Sequence, residues 1–213
     1  MLKLTQEQKI FFLQALFIAS LILANILGSK ITTLGPINFS VTIWLIALTF
    51  LITDILEEVK GKQIVQNLVW TTVVILFLSF LFIQWTVWLD PAPRYTDNEA
   101  FVKIFQNSSR IFLASIIAFI LGQYHDIWAF DFWKKKTKGK FLWLRNNAST
   151  MVSQFIDTTI FMFLAFYMMT PKFDAGFIWS LIWPYYIFKV ILSAVDTPLC
   201  YLGVKWLKEK ENK

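Results

Sequence analysis

Cysteine and histidine are almost missing from this sequence, with one of each in 213 residues. The lone Cys200 excludes an internal disulfide framework and a cysteine metal site. The lone His125 excludes HExxH and histidine-rich metal centres, and it reads as a helix-end residue. There is no GxGD pair for an intramembrane aspartyl protease and no GxSxG for a serine nucleophile, so neither an enzyme nor a cofactor is expected. No repeated filter or ring of charges marks a channel. Charge is scarce too: 16% of residues are charged, against about 25% in a soluble domain.

Apolar residues fill the chain instead. It is 57% hydrophobic and 18% aromatic, in long blocks without period-2 alternation. That pattern predicts a polytopic, all-α integral membrane protein of one domain, residues 1–213. Six blocks can each cross about 30 Å of hydrocarbon: 10–28, 37–55, 64–89, 106–126, 149–170 and 178–204. The start lacks a small-residue cleavage site and reads as a retained first span. Basic residues divide unevenly between the two sides. The N-terminus, the second and fourth loops and the tail hold fourteen, whereas Lys30, Arg94, Lys103 and Lys172 are the four on the other side. This predicts both termini in the cytoplasm. The net charge of +6 then serves topology and anionic lipid, and direct nucleic-acid binding through "FWKKKTKGK" is not expected.

Polar residues inside the spans fall into stripes. Span five carries Asn147, Thr150, Gln154 and Asp157 on one helical face, and span six carries Lys189, Ser193, Asp196 and Thr197. Span four carries Arg110 and Gln123 and ends at Asp126, with small residues at Ala114, Ala118 and Gly122. Span one has Ser20, Ala24 and Gly28 in small-xxx-small spacing, beside Asn25 and with Lys30 at its outer end. Such stripes need an interior, so the helices face a shared cavity or one another. Counted from the span ends, Asp157 and Asp196 each lie about 12 Å from the cytoplasmic side, with Lys189 about two turns further out. Buried ion pairs among Lys189, Arg110 and the carboxylates are the competing reading. At the end of span two, "ITDILEEVKGK" brings Asp54, Glu57, Glu58 and Gly61 to the side that Asp126 and Arg145 also reach. This is either a solvated helix end with a glycine stop or an inner gate. "EAFVKIF" is either a short interfacial helix or a plain connector. By elimination and by its stripes, the chain reads as a carrier of small solutes.

The runs "LANILGSKI", "TDILEEVKGK", "RIFLASIIAFILGQYHD", "WLRNNASTMVSQFIDTTIF" and "KVILSAVDTPLCYLG" occur in the order of the motifs of the YhhQ-type queuosine precursor transporter family, in the vitamin-uptake-transporter group, and the chain resembles that family over five of its six spans. One departure is Lys60 before Gly61, where the family often has tyrosine. The resemblance implies a multi-pass importer of the bacterial inner membrane. Its cargo would be a 7-deazapurine, such as 7-cyano-7-deazaguanine, 7-aminomethyl-7-deazaguanine or the related queuine base, destined for tRNA modification. By matching position it assigns Asn25, Lys30, Asp54, Glu58, Gly61, Arg110, Ser115, Gln123, Asp126, Arg145, Gln154, Asp157, Lys189 and Pro198.

Together, the stripes and the resemblance place Asn25, Gln123, Gln154, Asp157, Lys189 and Asp196 in substrate binding, with Asp157 and Gln154 reading the purine-like edge. Lys30, Asp54, Glu58, Arg110, Asp126 and Arg145 are placed in gating or coupling. Three alternatives stay open: a substrate-binding subunit served by energy-coupling ATPase subunits, a carrier for another purine-like metabolite, and association into a homo-oligomer. The likeness of "ASLILANILG" to "ASIIAFILG" adds the expectation of a weak inverted three-plus-three repeat.

Overall fold

The computed structural model describes residues 4–28, 30–34, 37–106, 109–168 and 171–208. Helix α1 (Gln6–Leu27) begins on a capping box. Thr5 Oγ1 accepts from the Gln8 amide at 3.2 Å, and Gln8 Oε1 accepts from the Thr5 amide at 2.9 Å, which satisfies donors that a helix start otherwise leaves free. A short antiparallel hairpin follows, β1 (Ile31–Leu34) and β2 (Ile37–Ser40), with Ile31 opposite Ser40 and Leu34 opposite Ile37.

The hairpin corrects the expected second span of 37–55. Its β-branched "ITT" strand favours a pleated surface, so residues 37–40 bond across to a strand and helix α2 runs later, Ile43–Lys60. The Ser40 hydroxyl anchors the hairpin by donating to the Gly28 carbonyl at 2.9 Å. Gly61, at φ +84°, separates α2 from α3 (Lys62–Trp88) and donates its amide to the Glu57 carbonyl at 2.9 Å. Glycine takes this backbone without strain, so the expected glycine stop is present.

Helix α4 (Asn98–Gln106) is short and places the Phe101 and Phe105 rings 4.8 Å apart. The three remaining helices are α5 (Ser109–Lys136), α6 (Leu142–Phe166) and α7 (Ala175–Lys208). Two of these also depart from the expected bounds. Helix α5 continues through Lys134–Lys136, which were expected in a loop. Helix α6 begins at Leu142 and not at 149, so Asp157 lies about 22 Å along it.

The fold is therefore almost wholly helical. Among the described residues, five segments are long and apolar enough to cross a membrane: Gln6–Leu27, Lys62–Trp88, Asn98–Lys136, Leu142–Phe166 and Ala175–Lys208. The six expected spans are thus met by five helices on length and composition. Helix α2 falls short because Asp54, Glu57, Glu58 and Lys60 crowd its second half.

Helices α5 and α6 pair most extensively, and α2 packs on α7 and α1. Close approach is built on glycine at two of these contacts. A Cβ at Gly122 would stand 3.0 Å from Asp157 Cβ, and one at Gly203 would stand 2.3 Å from Ile55 Cδ1. Phe17, Leu56, Val69, Phe130 and Leu207 fill the core. Leu78, Phe82, Val195 and Leu202 face outward, as lipid-facing residues do and core residues of a soluble protein do not. Ser20 and Ala24 are buried within the chain, so that small-residue stripe serves internal packing.

Candidate functional site

Helices α2, α6 and α7 border a narrow cleft, with a cavity volume of about 10 Å³, whose polar lining is Asp54, Asn146, Thr150, Gln154, Ser193 and Asp196. The helical repeat explains the grouping: Asn146, Thr150 and Gln154 recur every four residues on α6, and Ser193 and Asp196 are three apart on α7. Ala47, Phe50 and Leu51 of α2 supply an apolar wall. Asn146 donates to Asp54 Oδ2 through its Nδ2, and its Oδ1 accepts from the Thr197 hydroxyl at 3.3 Å. Gln154 is 2% exposed and its Oε1 has no partner. A buried amide oxygen without a partner is costly, and here it stands at the wall of a cleft.

Of the residues expected to bind substrate, the structure brings Gln154 and Asp196 to this cleft. Asp157 and Lys189 meet one another: Lys189 Nζ donates to Asp157 Oδ2 at 2.8 Å. Gln154 and Asp157 are adjacent on α6 and Lys189 and Ser193 on α7, so this pair lies one helical turn beyond the cleft. Lys189 was expected two turns further out than Asp157. The earlier start of α6 raises Asp157 to its level, and of the competing reading of ion pairs among Lys189, Arg110 and the carboxylates the described residues show this one pair, with the Asp157 side chain 18% exposed. Lys189 also rests over the Tyr185 ring at 5.2 Å.

Asn25 is elsewhere. It donates to the Leu21 carbonyl at 2.9 Å and borders a separate cleft with Phe80, Gln84, Phe105 and Phe112. Gln123 is fully buried on α5, with neither side-chain atom partnered.

The residues expected to gate fall into three groups. Asp54 belongs to the cleft. Glu58, Arg145 and two lysines form a charge cluster at the end of the bundle where α2 meets the α5–α6 turn. Arg145 Nη2 donates to Glu58 Oε2 at 2.5 Å, Lys134 Nζ lies 3.1 Å from the same oxygen, and Lys208 Nζ lies 3.7 Å from Oε1. Arg145 is 1% exposed. It also donates to the Gly139 and Lys140 carbonyls at 3.2 and 2.9 Å and lies over the Phe130 ring, so one guanidinium ties the α5–α6 turn to α2. Asp126 lies apart from this cluster, buried on α5 with the hydroxyls of Ser153, Ser149 and Thr150 facing it. Arg110 and Lys30 are distant from both. Arg110 caps the end of α6, donating to the Leu164 and Tyr167 carbonyls at 2.7 Å each. The Lys30 side chain is exposed.

Sequence reasoning missed Asn146 as a site residue. Asn147 opens the stripe in the sequence, yet it is Asn146 that lines the cleft, while Asn147 donates to the Trp143 carbonyl and the Thr197 hydroxyl. The four-residue ladder 146–150–154 was the available signal.

The family model described as "Putative vitamin uptake transporter" matches residues 40–203. A protein of Bacillus subtilis (strain 168) named "Probable queuosine precursor transporter" is 30% identical over 164 residues, which is 76% of this chain and 70% of that protein. No solved structure matches the chain. Every polar residue of the α2–α6–α7 cleft lies inside the matched segment.

Proposed function

The chain belongs to the vitamin uptake transporter family, and from that premise we propose that it is a membrane importer of queuosine precursors, binding a 7-deazaguanine such as 7-cyano- or 7-aminomethyl-7-deazaguanine in the α2–α6–α7 cleft. The setting is a bacterial inner membrane, with both termini cytoplasmic as the basic residues prefer. Helix α2 makes the sixth span, its carboxylates turned to the interior, where charged residues in membranes belong.

The observation that carries this reading is the composition of the cleft. A guanine-like edge presents a ring N–H beside an exocyclic amine, and a carboxylate accepts both. Asp196 stands at the wall for that role. The partner-free Oε1 of Gln154 and the Ser193 hydroxyl add an acceptor and an adaptable donor. Phe50 offers a ring face for the base. The Lys189–Asp157 pair closes the cavity beyond it and holds α6 against α7.

Binding of 7-cyano-7-deazaguanine to the purified chain, followed by thermal shift and calorimetry, tests the proposal. Wild type should bind, and Asp196→Asn and Gln154→Ala should each weaken binding by about tenfold, the scale of one hydrogen bond to a charged group or of an unmatched buried polar atom. No binding of any deazaguanine by folded protein would set the cargo aside. Uptake by the chain alone in liposomes is also expected, and failure there despite binding would favour a subunit that needs an energy-coupling partner.

A further inference from the structure

Below the cleft, three carboxylic side chains are packed together, and among the described residues none of them is in an ion pair. Asp54 on α2 is 1% exposed, Glu57 one turn on is 2% exposed, and Asp126 on α5 is 1% exposed. They stand close enough for their charges to act on one another. Each leaves one carboxyl oxygen without a hydrogen-bond partner: Asp54 Oδ1, Glu57 Oε1 and Asp126 Oδ1. Among the described residues, no lysine or arginine reaches ion-pair distance of any of the three.

The surrounding cations form their ion pairs elsewhere, with Lys134 and Lys62 near enough to Glu57 to offset part of the charge of Asp126 and Asp131. From α5, Lys134 meets Glu58 and touches Glu57 only at its backbone carbonyl, 3.3 Å away, while Asp131 adds a further negative charge that pairs with Lys62 of α3. From α6, Arg145 is held by Glu58. From α7, Lys208 faces Glu58, and Asp196 and the buried Cys200 thiol bring no positive charge. From α1, Lys9 donates to the Trp206 carbonyl. Three buried carboxylates without an ion-pair partner would cost several kcal/mol each if ionised, so a further positive charge is needed to accompany them. Two buried amides beside the trio are also left with unsatisfied polar atoms, which a site holding a further species would satisfy. Gln154 Oε1 is buried and partner-free in the cleft that Asp54 lines, and Gln123 stands one turn from Asp126 with both of its polar atoms unsatisfied.

We propose that Asp54, Glu57 and Asp126 are the coupling-ion site of the carrier and that the ion is the proton. This rests on the transporter reading above. A carboxylate of the trio takes a proton from the outer side through the cleft, at Asp54, and becomes a neutral acid. The proton passes along the trio toward the basic end of the bundle and leaves to the cytoplasm, regenerating the carboxylate. One positive charge moves inward per cycle beside a neutral base. A hard metal cation would want six or more oxygen ligands or a near-ideal octahedron, whereas a proton needs one carboxyl oxygen, and each member of the trio has one free.

The first test is infrared spectroscopy of the purified full chain in nanodiscs near neutral pH, which needs no substrate. A protonated-carboxyl carbonyl band is expected, and the Glu57→Gln and Asp126→Asn variants should each diminish it; its absence in wild type overturns the proposal. The second is accumulation of labelled 7-cyano-7-deazaguanine in liposomes. One pH unit, acidic outside, should support about tenfold accumulation for one proton per base. A protonophore should abolish it, and Glu57→Gln should lose it. Accumulation that ignores the pH gradient or follows sodium overturns the proposal. A band that behaves as expected in a chain that binds no deazaguanine would support the proton site while retiring the cargo.

Discussion

The bundle holds two kinds of inward-facing acid, about one to two helical turns apart. Asp157 has a dedicated cation, Lys189 at 2.8 Å, itself seated over an aromatic ring. Asp54, Glu57 and Asp126 have hydroxyls, an amide and one another. The first is a closed account of charge: neutral as a pair, directional, and suited to holding two helices in register. The second is incomplete without a mobile positive species. Both cost desolvation, so the difference between them separates scaffolding from transport chemistry. A carboxylate in a membrane helix is therefore not by its presence a functional residue; what decides is whether its partner is fixed.

Removing the fixed partner should break the comparison most visibly. Lys189→Met leaves Asp157 buried and unpaired, and a loss of about 3 kcal/mol in unfolding stability is expected, the low end for breaking a buried pair because the Asp157 side chain retains 18% exposure. Adding Asp157→Leu should restore most of that loss. A single Lys189→Met variant as stable as wild type, measured by denaturation in detergent micelles, would mean that Asp157 already has the freedom assigned to the other three acids.

The contact between the two regions comes next in size. Gly122 lies one turn from Asp126 on α5 and faces Asp157 on α6, where an added Cβ would stand 3.0 Å from Asp157 Cβ and 3.4 Å from the Ser153 carbonyl. Neither neighbour is the flexible end of a side chain, so Gly122→Ala should cost about 2 kcal/mol by overpacking. It should also loosen both the Lys189–Asp157 bond and the hydroxyls that face Asp126. An unchanged melting temperature would show that the α5–α6 seam can spread without disturbing either acid group.

How much of this could be read from the chain differs between the two regions. Long apolar blocks identified the bundle, because lipid-facing helices leave no other pattern. Alternate polar positions put Gln154 and Asp196 on inward faces. The start of α6 was hidden because "FLWLRNN" carries an arginine and two asparagines and so resembles a loop. Arg145 enters the helix only because Glu58, Phe130 and two carbonyls from the preceding turn enclose it, and Glu58, its charge partner, lies far from it in sequence. The hairpin was hidden for the opposite reason: β2 is apolar enough to read as the start of the following helix, and β1 falls in the connection before it. That Asp157 has a cation and Asp54 has none depends on which helices touch, and no spacing along one helix reports that.

Glu57→Gln sharpens the comparison from the other side. If Glu57 carries a proton, glutamine replaces it with nearly the same shape and an equal absence of charge, and stability should change by less than about 1 kcal/mol even as proton-driven uptake is lost. A loss approaching that of Lys189→Met would mean that Glu57 is ionised and its charge is structurally engaged.

The smallest effect should come from an ion pair whose partners remain in water. Lys62 Nζ lies 3.3 Å from Asp131 Oδ2, with the lysine side chain 48% exposed, and Lys135 approaches the same oxygen at 2.8 Å from one turn along α5. Exposed pairs contribute roughly 0.2–1 kcal/mol, less as salt screens them, and here Lys135 keeps Asp131 paired when Lys62 is removed. Lys62→Ala should therefore lower stability by about 0.3 kcal/mol, and the difference should vanish in high salt, whereas the Lys189→Met defect should persist because salt does not reach the buried pair. If salt erased both defects alike, the Lys189–Asp157 pair would be reached by water, and the distinction between a fixed partner and a mobile one would have to be redrawn around solvent access rather than around the cation itself.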